Sequence, residues 1–383
     1  NFMLKQQKIF FDFLRFCIGP AKEIPGSLKE VDWKELYAIA KMQALLGVLF
    51  YGIRRLPKEL VPKQKLLMQW MVMAEQIRKQ NIRLFLDSVK VCLNFENEGF
   101  ANCILKGQGN ALLYPDPYMR TPGDIDIYLS GGRRKIIKYV DQVCPNQVMR
   151  YHHVDFPVTK TAIEVHFTPS YMFCPIHNRR MQKWFEEVMG EQCNHRVSLP
   201  DGYGEIHVPH VSFNVIYILS HLYRHIFTEG IGLRQLLDYY FVLLKWHTDL
   251  TNLTDSNNSL PQMTQINTDL DALRHELKYL GLWKFAGAVM YVLHEVFGLS
   301  EDRMIAPMNE KEGKFLLDEI MRGGNFGQYD DRMGDKVDES KIHRYFRMNL
   351  RNLRFVKHYP TEALSEPLFR TWFAVWKKIH GIR

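Results

Sequence analysis

The stretch "DIDIYLS" (124–130) restricts the fold of this chain more than any other feature. Acidic and apolar residues alternate there with a period of two, directly after a Pro-Gly turn, which is typical of a β-strand. The alternation places Asp124 and Asp126 on one face, while Ile125 and Ile127 point into a core. Two neighbouring carboxylates in an apolar run need positive charge close by.

A mixed sheet is predicted around this strand. The apolar segment "NCILKG" (102–107) precedes it, and the helical pattern of "RRKIIKYVDQVC" (133–144) follows it. "VMRYHHVDFPVTK" (148–160) and "TAIEVHFTP" (161–169) read as two neighbouring strands that turn near Lys160. We therefore expect a mixed sheet between residues 101 and 170 with at least one flanking helix.

Helical patterns flank the sheet on both sides. The segment from 32 to 56 opens with Asp32 as an N-cap, and the segment from Pro62 to Gly99 is either one long helix or two. "SFNVIYILSHLYRHIF" (212–227) and "LRQLLDYYFVLLKWH" (233–247) are the strongest helices after the sheet.

These patterns predict an α+β fold, with a small mixed sheet between an N-terminal and a C-terminal helical region. The expected boundaries are 1–99, 100–210 and 211–383. The polar run 248–265 is expected to be a surface linker between helices.

Composition permits a broad range of functions. Apolar residues make up 46% of the 383 residues and charged residues 24%, as in a globular protein with a real core. The net charge of +8 allows a polyanionic partner without requiring one. The sequence shows no leader and no membrane span, and its six cysteines include no C-x-x-C pair. We therefore expect a cytoplasmic protein that does not enter a membrane.

Glu164 and His166 repeat the arrangement of one polar and one apolar face on a second strand. If the two strands pair, Glu164 lies beside Asp124 and Asp126. Three carboxylates around Mg²⁺ or Mn²⁺ form a site for phosphoryl or nucleotidyl transfer. The alternative to a metal site is an exposed strand face on which water solvates the carboxylates.

Upstream, "LKGQGNALLYP" (105–115) places a glycine-containing turn after a strand, where backbone N–H groups can receive a phosphate. Lys106 and Arg120 could neutralise a triphosphate, Arg120 in bidentate fashion. The turn matches neither the P-loop nor the dinucleotide fingerprint. A plain strand-to-helix turn is the alternative.

The histidines allow several readings. His166 could orient Glu164, contact substrate or be structural. His221 and His225 share a helix face, and a structural or substrate-facing role is favoured over a zinc site because no third ligand is evident. The pair His152-His153 offers one ring to each face of a strand and is a poor chelate.

Two further features lie in the helical region. Arg234 and Asp238 are four residues apart and predict an intrahelical ion pair, with contact between Arg234 and phosphate as the alternative. The aromatic and basic segment 368–383 predicts a packing helix with a solvated basic face, rather than a membrane or nucleic-acid contact.

Together these residues resemble the nucleotidyltransferase superfamily of the DNA polymerase β type, and most closely its branch of bacterial uncharacterised nucleotidyltransferases. The resemblance rests on Lys106-Gly107 after a strand, an Arg before "DID", "EVH" (164–166) on a later strand, and "GLRQLLD" (232–238). It covers roughly residues 100 to 245. Three features depart from the superfamily pattern: Gln108 follows the first glycine, the gap to Asp124 is long, and Glu164 stands where Asp is frequent.

The resemblance implies roles for these residues. Asp124, Asp126 and Glu164 would ligate Mg²⁺ or Mn²⁺, and Glu164 would take the proton of an attacking hydroxyl. The expected nucleotide-binding residues are Lys106, Gly107, Gln108, Gly109, Arg120, His166 and Arg234. The implied activity is transfer of NMP from an NTP such as ATP to a hydroxyl-bearing acceptor, a small molecule or a saccharide. The alternatives are a nucleotide-binding module without turnover and an RNA-modifying nucleotidyltransferase.

Overall fold

The structure is a computed structural model that describes residues 2–20, 23–256, 262–330, 332 and 341–380. It has the α+β composition expected from the sequence. Its helices are α1 Phe2–Ile18, α2 Trp33–Met42, α3 Leu46–Ile53, α4 Gln64–Asn97, α5 Gly107–Ala111, α6 Arg133–Val143, α7 Pro175–Gln192, α8 Val211–Thr228, α9 Leu233–Ser256, α10 Gln262–Tyr279, α11 Trp283–Phe297, α12 Glu310–Gly323, α13 Lys341–Val356 and α14 Pro360–Ile379.

The strands form two sheets. They are β1 Asn102–Leu105, β2 Ile125–Leu129, β3 His153–Asp155, β4 Ile163–His166, β5 Arg196–Ser198 and β6 Glu205–His207. Four of them make a mixed sheet in the order β1-β2-β4-β3, and β5 and β6 make a separate hairpin. The central strands β2 and β4 are parallel, and Asp126 lies opposite Glu164 in their register. This confirms that the two acidic strands pair.

The sheet has a core of its own. Ile125, Ile127 and Val165 are fully buried and pack with residues of α6 and of the second half of α4. The apolar alternation of "DIDIYLS" therefore packs as its period of two predicts. A larger core is formed by the helices on either side.

α4 is one continuous helix of 34 residues. Its first half, which includes Trp70 and Ile77, packs in the helical core, whereas its second half, which includes Phe85 and Phe95, packs in the sheet core. Packing thus crosses the predicted boundary near residue 99, and the three-part division of the chain stays a prediction.

Local signals set several helix ends. Asp32 caps α2, as predicted, because its side chain accepts hydrogen bonds from the backbone N–H groups of Lys34 and Glu35. The 32–56 segment then breaks at Ala44, which has a φ of 56°, and resumes as α3. The expected linker at 248–265 is helical at both ends, because α9 continues to Ser256 and α10 begins at Gln262. Residues 257–261 of that linker lie outside the described residues.

The loop before β2 is fixed by two buried polar contacts. From α4, the Asn81 side-chain amide donates to the backbone carbonyls of Tyr118 and Arg120, at 3.1 and 2.8 Å. From α9, Asp238 accepts two hydrogen bonds from the Arg120 guanidinium, both 2.8 Å long. Arg120 and Asp238 are only 4% and 5% exposed, so this is a buried bidentate ion pair. The strand that carries the carboxylates is thereby tied to helices on two sides.

The start of α9 explains the "GLRQLLD" pattern in structural terms. The backbone N–H of Leu233 donates to the Gln43 side chain, whose amide in turn donates to the Ile320 carbonyl in α12. Gly232 packs directly on the backbone of Asn325, where a Cβ would lie only 2.8 Å from the Cα. These residues join the helical regions that flank the sheet.

The C-terminal hairpin of α13 and α14 packs on α8 and on the loops beside the sheet. Phe369 of α14 stacks on Tyr171, as a packing helix should. Its exposed side is not the expected basic face, however, because Leu368, Trp372 and Ile379 are 73%, 52% and 75% exposed. Among the described residues, we find no helix with both the length and the apolarity to cross a bilayer.

Substitution of Asp238 by Ala is expected to destabilise the protein strongly. It leaves the Arg120 guanidinium buried without its counterion, which lowers the free energy of unfolding by about 3–5 kcal/mol. Urea denaturation of the wild type and of Asp238→Ala measures the difference.

Asp249→Ala on the same helix is the matched control, because Asp249 pairs with Lys245 on the protein surface. An exposed pair of this kind contributes about 0.3–0.5 kcal/mol. Equal losses in the two variants would contradict the importance of the buried pair.

Candidate active site

The central feature of the site is a group of donor atoms on neighbouring strands. The His166 Nε2–H donates to Asp126 Oδ1 at 3.0 Å and lies 3.5 Å from Glu164 Oε2. Glu164 Oε2 is in turn 3.1 Å from His153 Nδ1 on β3. The strand register produces this group, since Asp126, Glu164 and Asp155 lie side by side across three strands. Two carboxylates and two imidazoles therefore face one point.

Lys106 supplies the positive charge that the two aspartates require. Its Nζ lies 3.1 Å from Asp126 Oδ2 and donates to His221 Nε2 at 3.1 Å. Burial alone would raise the pKa of Asp126, but Lys106 and the hydrogen bond from His166 outweigh burial and hold that pKa well below its usual range. Lys106 has a φ of 58°, a region that a Cβ disfavours. Backbone strain of this kind is concentrated at functional sites.

Asp124 lies apart from the tight group. It is exposed and lines the same cavity, but it is not part of the group of donor atoms within 4.8 Å of one another that includes Asp126 and Glu164. The negative charge of Asp126 is the main cause that raises the pKa of Asp124 to about 6. The two carboxylates are thus close enough to repel each other, although Asp124 does not join the other donors in this geometry.

The charges of the remaining donors follow from their partners. Burial lowers the pKa of His166, but its contacts with Asp126 and Glu164 outweigh burial and raise it overall. Burial would raise the pKa of Glu164, but the hydrogen bond from His166 lowers it overall. Glu164 is therefore ionised at neutral pH, and its side chain is 29% exposed to the cavity.

The prediction for His152 and His153 is wrong. The two rings do not point to opposite faces but lie together with His166, at ring-centroid distances between 4.5 and 5.1 Å. Strand alternation does not apply to His152, because β3 begins at His153 and the chain bends just before it. Burial lowers the pKa of His153 to about 3, so its ring is neutral. A neutral ring is a competent metal ligand.

The glycine turn is a short helix, α5, whose close packing explains two of its residues. Gly109 packs against Val208, where a Cβ would come within 2.9 Å of a methyl group. Gly107 has a φ of 41°, which favours glycine. The Gly109 N–H donates to the Lys106 carbonyl, whereas the buried side-chain oxygen of Gln108 has no hydrogen-bond partner. The phosphate-binding role of Gly107, Gln108 and Gly109 stays a prediction.

Two arginines that were predicted to contact nucleotide have partners within the protein. The bidentate acceptor of Arg120 is Asp238, as described above. Arg234 donates to the Thr121 carbonyl at 3.3 Å and lies over the Phe326 ring, so the intrahelical pair with Asp238 is a wrong prediction. Asp238 accepts hydrogen bonds instead from Arg120 and from the Tyr114 hydroxyl, the latter at 2.7 Å.

Lys106, Asp126 and Glu164 line one cavity of about 1620 Å³ between the sheet and the C-terminal helices. Asp124, His152 and His153 line it as well, whereas His166 is buried behind its surface. The wall opposite the sheet comes from α8, α13 and α14, with Arg224, Arg351 and Phe369 among its residues. A substrate-facing role for His221 and His225 of α8 was one of the sequence-based expectations, whereas the contributions of α13 and α14 to the site were not expected. His221, Arg224 and His225 do carry a signal, since spacings of three and four residues place them on one helix face.

The donor set fits a divalent cation. Donor atoms of Asp126, Glu164 and His166 all lie within 4.8 Å of one another, and so do those of His152, His153 and His166. A cation here would relieve the repulsion between Asp124 and Asp126. Carboxylates suit Mg²⁺ and Mn²⁺, whereas the imidazoles extend the range toward transition metals.

Comparison with known protein families identifies one match. The model of the family described as "Uncharacterised nucleotidyltransferase" matches residues 29–298, which is more than half of the chain. Neither the curated proteins nor the solved structures contain a match.

Direct metal binding tests the mixed donor set. We expect Co²⁺ added to the protein to produce visible absorption from imidazole and carboxylate ligation, and His166→Ala to weaken binding at least about 10-fold. Titrations followed by absorption spectroscopy, with circular dichroism to verify folding, measure this change.

His275→Ala is the control, because His275 is exposed on α10 outside the cavity. Identical titrations for wild type and His166→Ala would show that the imidazole takes no part in metal binding.

Proposed function

Since the chain belongs to the family of uncharacterised nucleotidyltransferases, we propose that it is a metal-dependent enzyme of the DNA polymerase β type. It transfers NMP from an NTP to a hydroxyl-bearing acceptor. One observation carries the proposal: Asp126 and Glu164 lie beside Lys106 on the wall of a large cavity, and the buried His166 places its ring nitrogen near both carboxylates. This arrangement combines the negative ligands, the cation and the open space that transfer at a phosphate requires.

The chain supplies the ligands of the metal. Asp126 and Glu164 would hold a divalent ion with His166 beside them, and Asp124 lies nearby in the same cavity. When bound, Mg²⁺ or Mn²⁺ supplies positive charge to the phosphate oxygens. The low pKa of Asp126 keeps this carboxylate ionised and ready to bind.

Glu164 is the proton acceptor in this proposal. It is ionised at neutral pH and partly exposed, so an acceptor hydroxyl can approach it from the cavity. His166 and His153 contact the same oxygen, Oε2, and fix the orientation of the carboxylate. Oε1 is then the atom that remains to take a proton from the attacking hydroxyl.

Lys106 contributes a mobile cation. Its ammonium lies on Asp126 and can turn toward the phosphates of an NTP, because a lysine side chain rotates freely about its four-carbon stem. Gly107, Gln108 and Gly109 begin α5 directly after Lys106 and lie at the same end of the sheet. We place the phosphates of the NTP beside this turn.

The size of the cavity supports two substrates. Sites for a single small molecule enclose roughly 300–1,000 Å³, whereas this cavity has about 1620 Å³. An NTP and a small hydroxyl-bearing acceptor, such as a saccharide, fit into it together. Aromatic residues that line the cavity, including Tyr151 and Tyr171 in loops beside the sheet and Phe369 on α14, offer flat surfaces for a base or a sugar ring.

A nucleotide-binding module without turnover is the second candidate. The observation in its favour is that Lys106 already neutralises Asp126 at 3.1 Å, so the carboxylate is compensated without any metal. In such a module, an NTP would bind regardless of Mg²⁺.

The thermal response to nucleotide separates these two candidates. For the enzyme, we expect Mg²⁺ together with an NTP to raise the melting temperature. We expect Asp126→Asn to abolish the Mg²⁺-dependent part, because it removes a charged ligand. Differential scanning fluorimetry with each of the four NTPs measures the shift, and Asp141→Asn on α6, outside the cavity, is the control. A stabilisation by NTP that ignores Mg²⁺ would support the binding module.

Loss of the proton acceptor is expected to slow turnover while nucleotide binding persists. Glu164→Gln keeps the size of the side chain but removes its basicity, so pyrophosphate release should fall by about 10²–10⁴-fold. A coupled pyrophosphate assay with a metabolite pool as acceptor measures the rate. Undiminished release in Glu164→Gln would overturn the role of Glu164.

A further inference from the structure

The helical wall of the cavity holds two arginines whose charges are not compensated. Arg224 on α8 and Arg351 on α13 are only 8% and 7% exposed. Among the described residues, neither has a carboxylate oxygen within 4.0 Å, in contrast to the buried Arg120. The Nε of Arg224 and the Nη1 of Arg351 are buried without a hydrogen-bond partner. Burial of a cation is unfavourable unless an anion pairs with it.

Carboxylates near Arg351 are already engaged by other arginines. Glu319 and Asp330 both pair with Arg332 and with Arg354. Three arginines therefore share two carboxylates, and Arg351 is the one without a direct partner. Burial, followed by the charge of Arg354, lowers the pKa of Arg351 to about 10. Its environment thus disfavours the positive charge that an anion would stabilise.

The network around Arg224 has an excess of hydrogen-bond donors. Lys106 donates to His221 Nε2, and burial together with the Lys106 charge holds the pKa of His221 well below its usual range, so this ring is neutral. Its single proton is then on Nδ1, which faces Arg224 Nη2 at 3.3 Å. Two donors therefore face each other there, and the partner of Arg224 Nη2 is the neutral acceptor His225 Nε2, at 3.0 Å, rather than a carboxylate.

Both arginines line the cavity that contains the carboxylates. Arg224 is connected to Asp126 through His221 and Lys106, by contacts of 3.3, 3.1 and 3.1 Å. Arg351 lies beyond it, next to Gly230 and Gly327. α13 is outside the part of the chain that the family model matches, so the family description assigns nothing to Arg351.

We propose that Arg224 and Arg351 form a phosphate-binding subsite on the helical wall of the cavity, opposite the acidic strands. The planar guanidinium is the group best suited to hold phosphate oxygens, and a phosphate would give each arginine an anionic partner. The choice of phosphate as the anion rests on the proposed function, whereas the two unpaired charges do not. The phosphate belongs either to the NTP or to a phosphorylated acceptor.

The probe is inorganic tripolyphosphate, tested on the full chain without divalent metal. We expect it to bind the wild type, and Arg351→Met and Arg224→Met to weaken binding by about 10- to 100-fold each, since each removes a charge-assisted hydrogen bond. Isothermal titration calorimetry measures the affinities. Arg180→Met is the control, because Arg180 also lies over an aromatic ring, that of Tyr279, but outside the cavity.

The melting temperature of the ligand-free protein separates a binding role from a structural one. Removal of an uncompensated buried charge relieves strain, so Arg351→Met should melt at the wild-type temperature or above it. A lower melting temperature together with unchanged tripolyphosphate affinity would show that the arginine is structural and overturn the proposal. Equal affinity in wild type and in both variants would overturn it as well.

Competition identifies the source of the phosphate. If the subsite holds the NTP, a non-hydrolysable NTP with Mn²⁺ displaces tripolyphosphate, and Arg351→Met weakens both ligands. If it holds an acceptor, the two ligands bind together, and Arg351→Met weakens only tripolyphosphate. Either outcome supports the subsite. Asp126→Asn separates the two proposals, because tripolyphosphate binding should survive in this variant even if the metal-dependent activity proves absent.

Discussion

The buried ion pair between Arg120 and Asp238 is the interaction on which the rest of the site depends. It joins the loop before the central acidic strand to a helix that starts more than a hundred residues later. Without it, α9 would hold the loop before β2 more weakly, through the hydrogen bond from Arg234 to the Thr121 carbonyl, and the position of Asp124 and Asp126 relative to α8 would be less well fixed. The protein therefore uses one fully engaged arginine for assembly, while two other buried arginines line the cavity without a carboxylate partner. The same residue type serves two purposes, and the presence or absence of a carboxylate partner distinguishes them.

The site balances negative charge on the strands against positive charge on the helices. Asp126 and Glu164 lie on the sheet, and the histidines around them are held neutral or protonated by their contacts. Lys106 lies between the sheet and the helices, since it contacts Asp126 on β2 and His221 on α8. In the proposed function, a nucleotide would bring both signs of charge to this cavity, with phosphates for the cations and a metal for the carboxylates. The arrangement of charges is thus complementary to a metal-bound polyanion.

Features with a short-range signal were predictable from sequence. The period of two in "DIDIYLS" and "EVH" predicted the strands and their faces, whereas the pairing of β2 with β4 was a condition that the structure then met. The partners of Arg120 and Arg234 were not predictable, because the contact with Asp238 spans 118 residues and leaves no local pattern. His152 was misplaced because the chain bends before the strand begins. The part of the helical wall that α13 and α14 form was missed because a cavity formed by distant segments has no linear motif.

The length of α4 has a consequence for the folding of the whole chain. At about 1.5 Å per residue, its 34 residues extend over roughly 50 Å, and they form one side of both hydrophobic cores. Melting of either half of the helix would remove packing from the other, so the two cores are coupled and should unfold as a single cooperative unit. A fragment cut at the start of β1 would strip the sheet of Phe85 and Phe95. Excision of a minimal catalytic unit must therefore retain the second half of this helix.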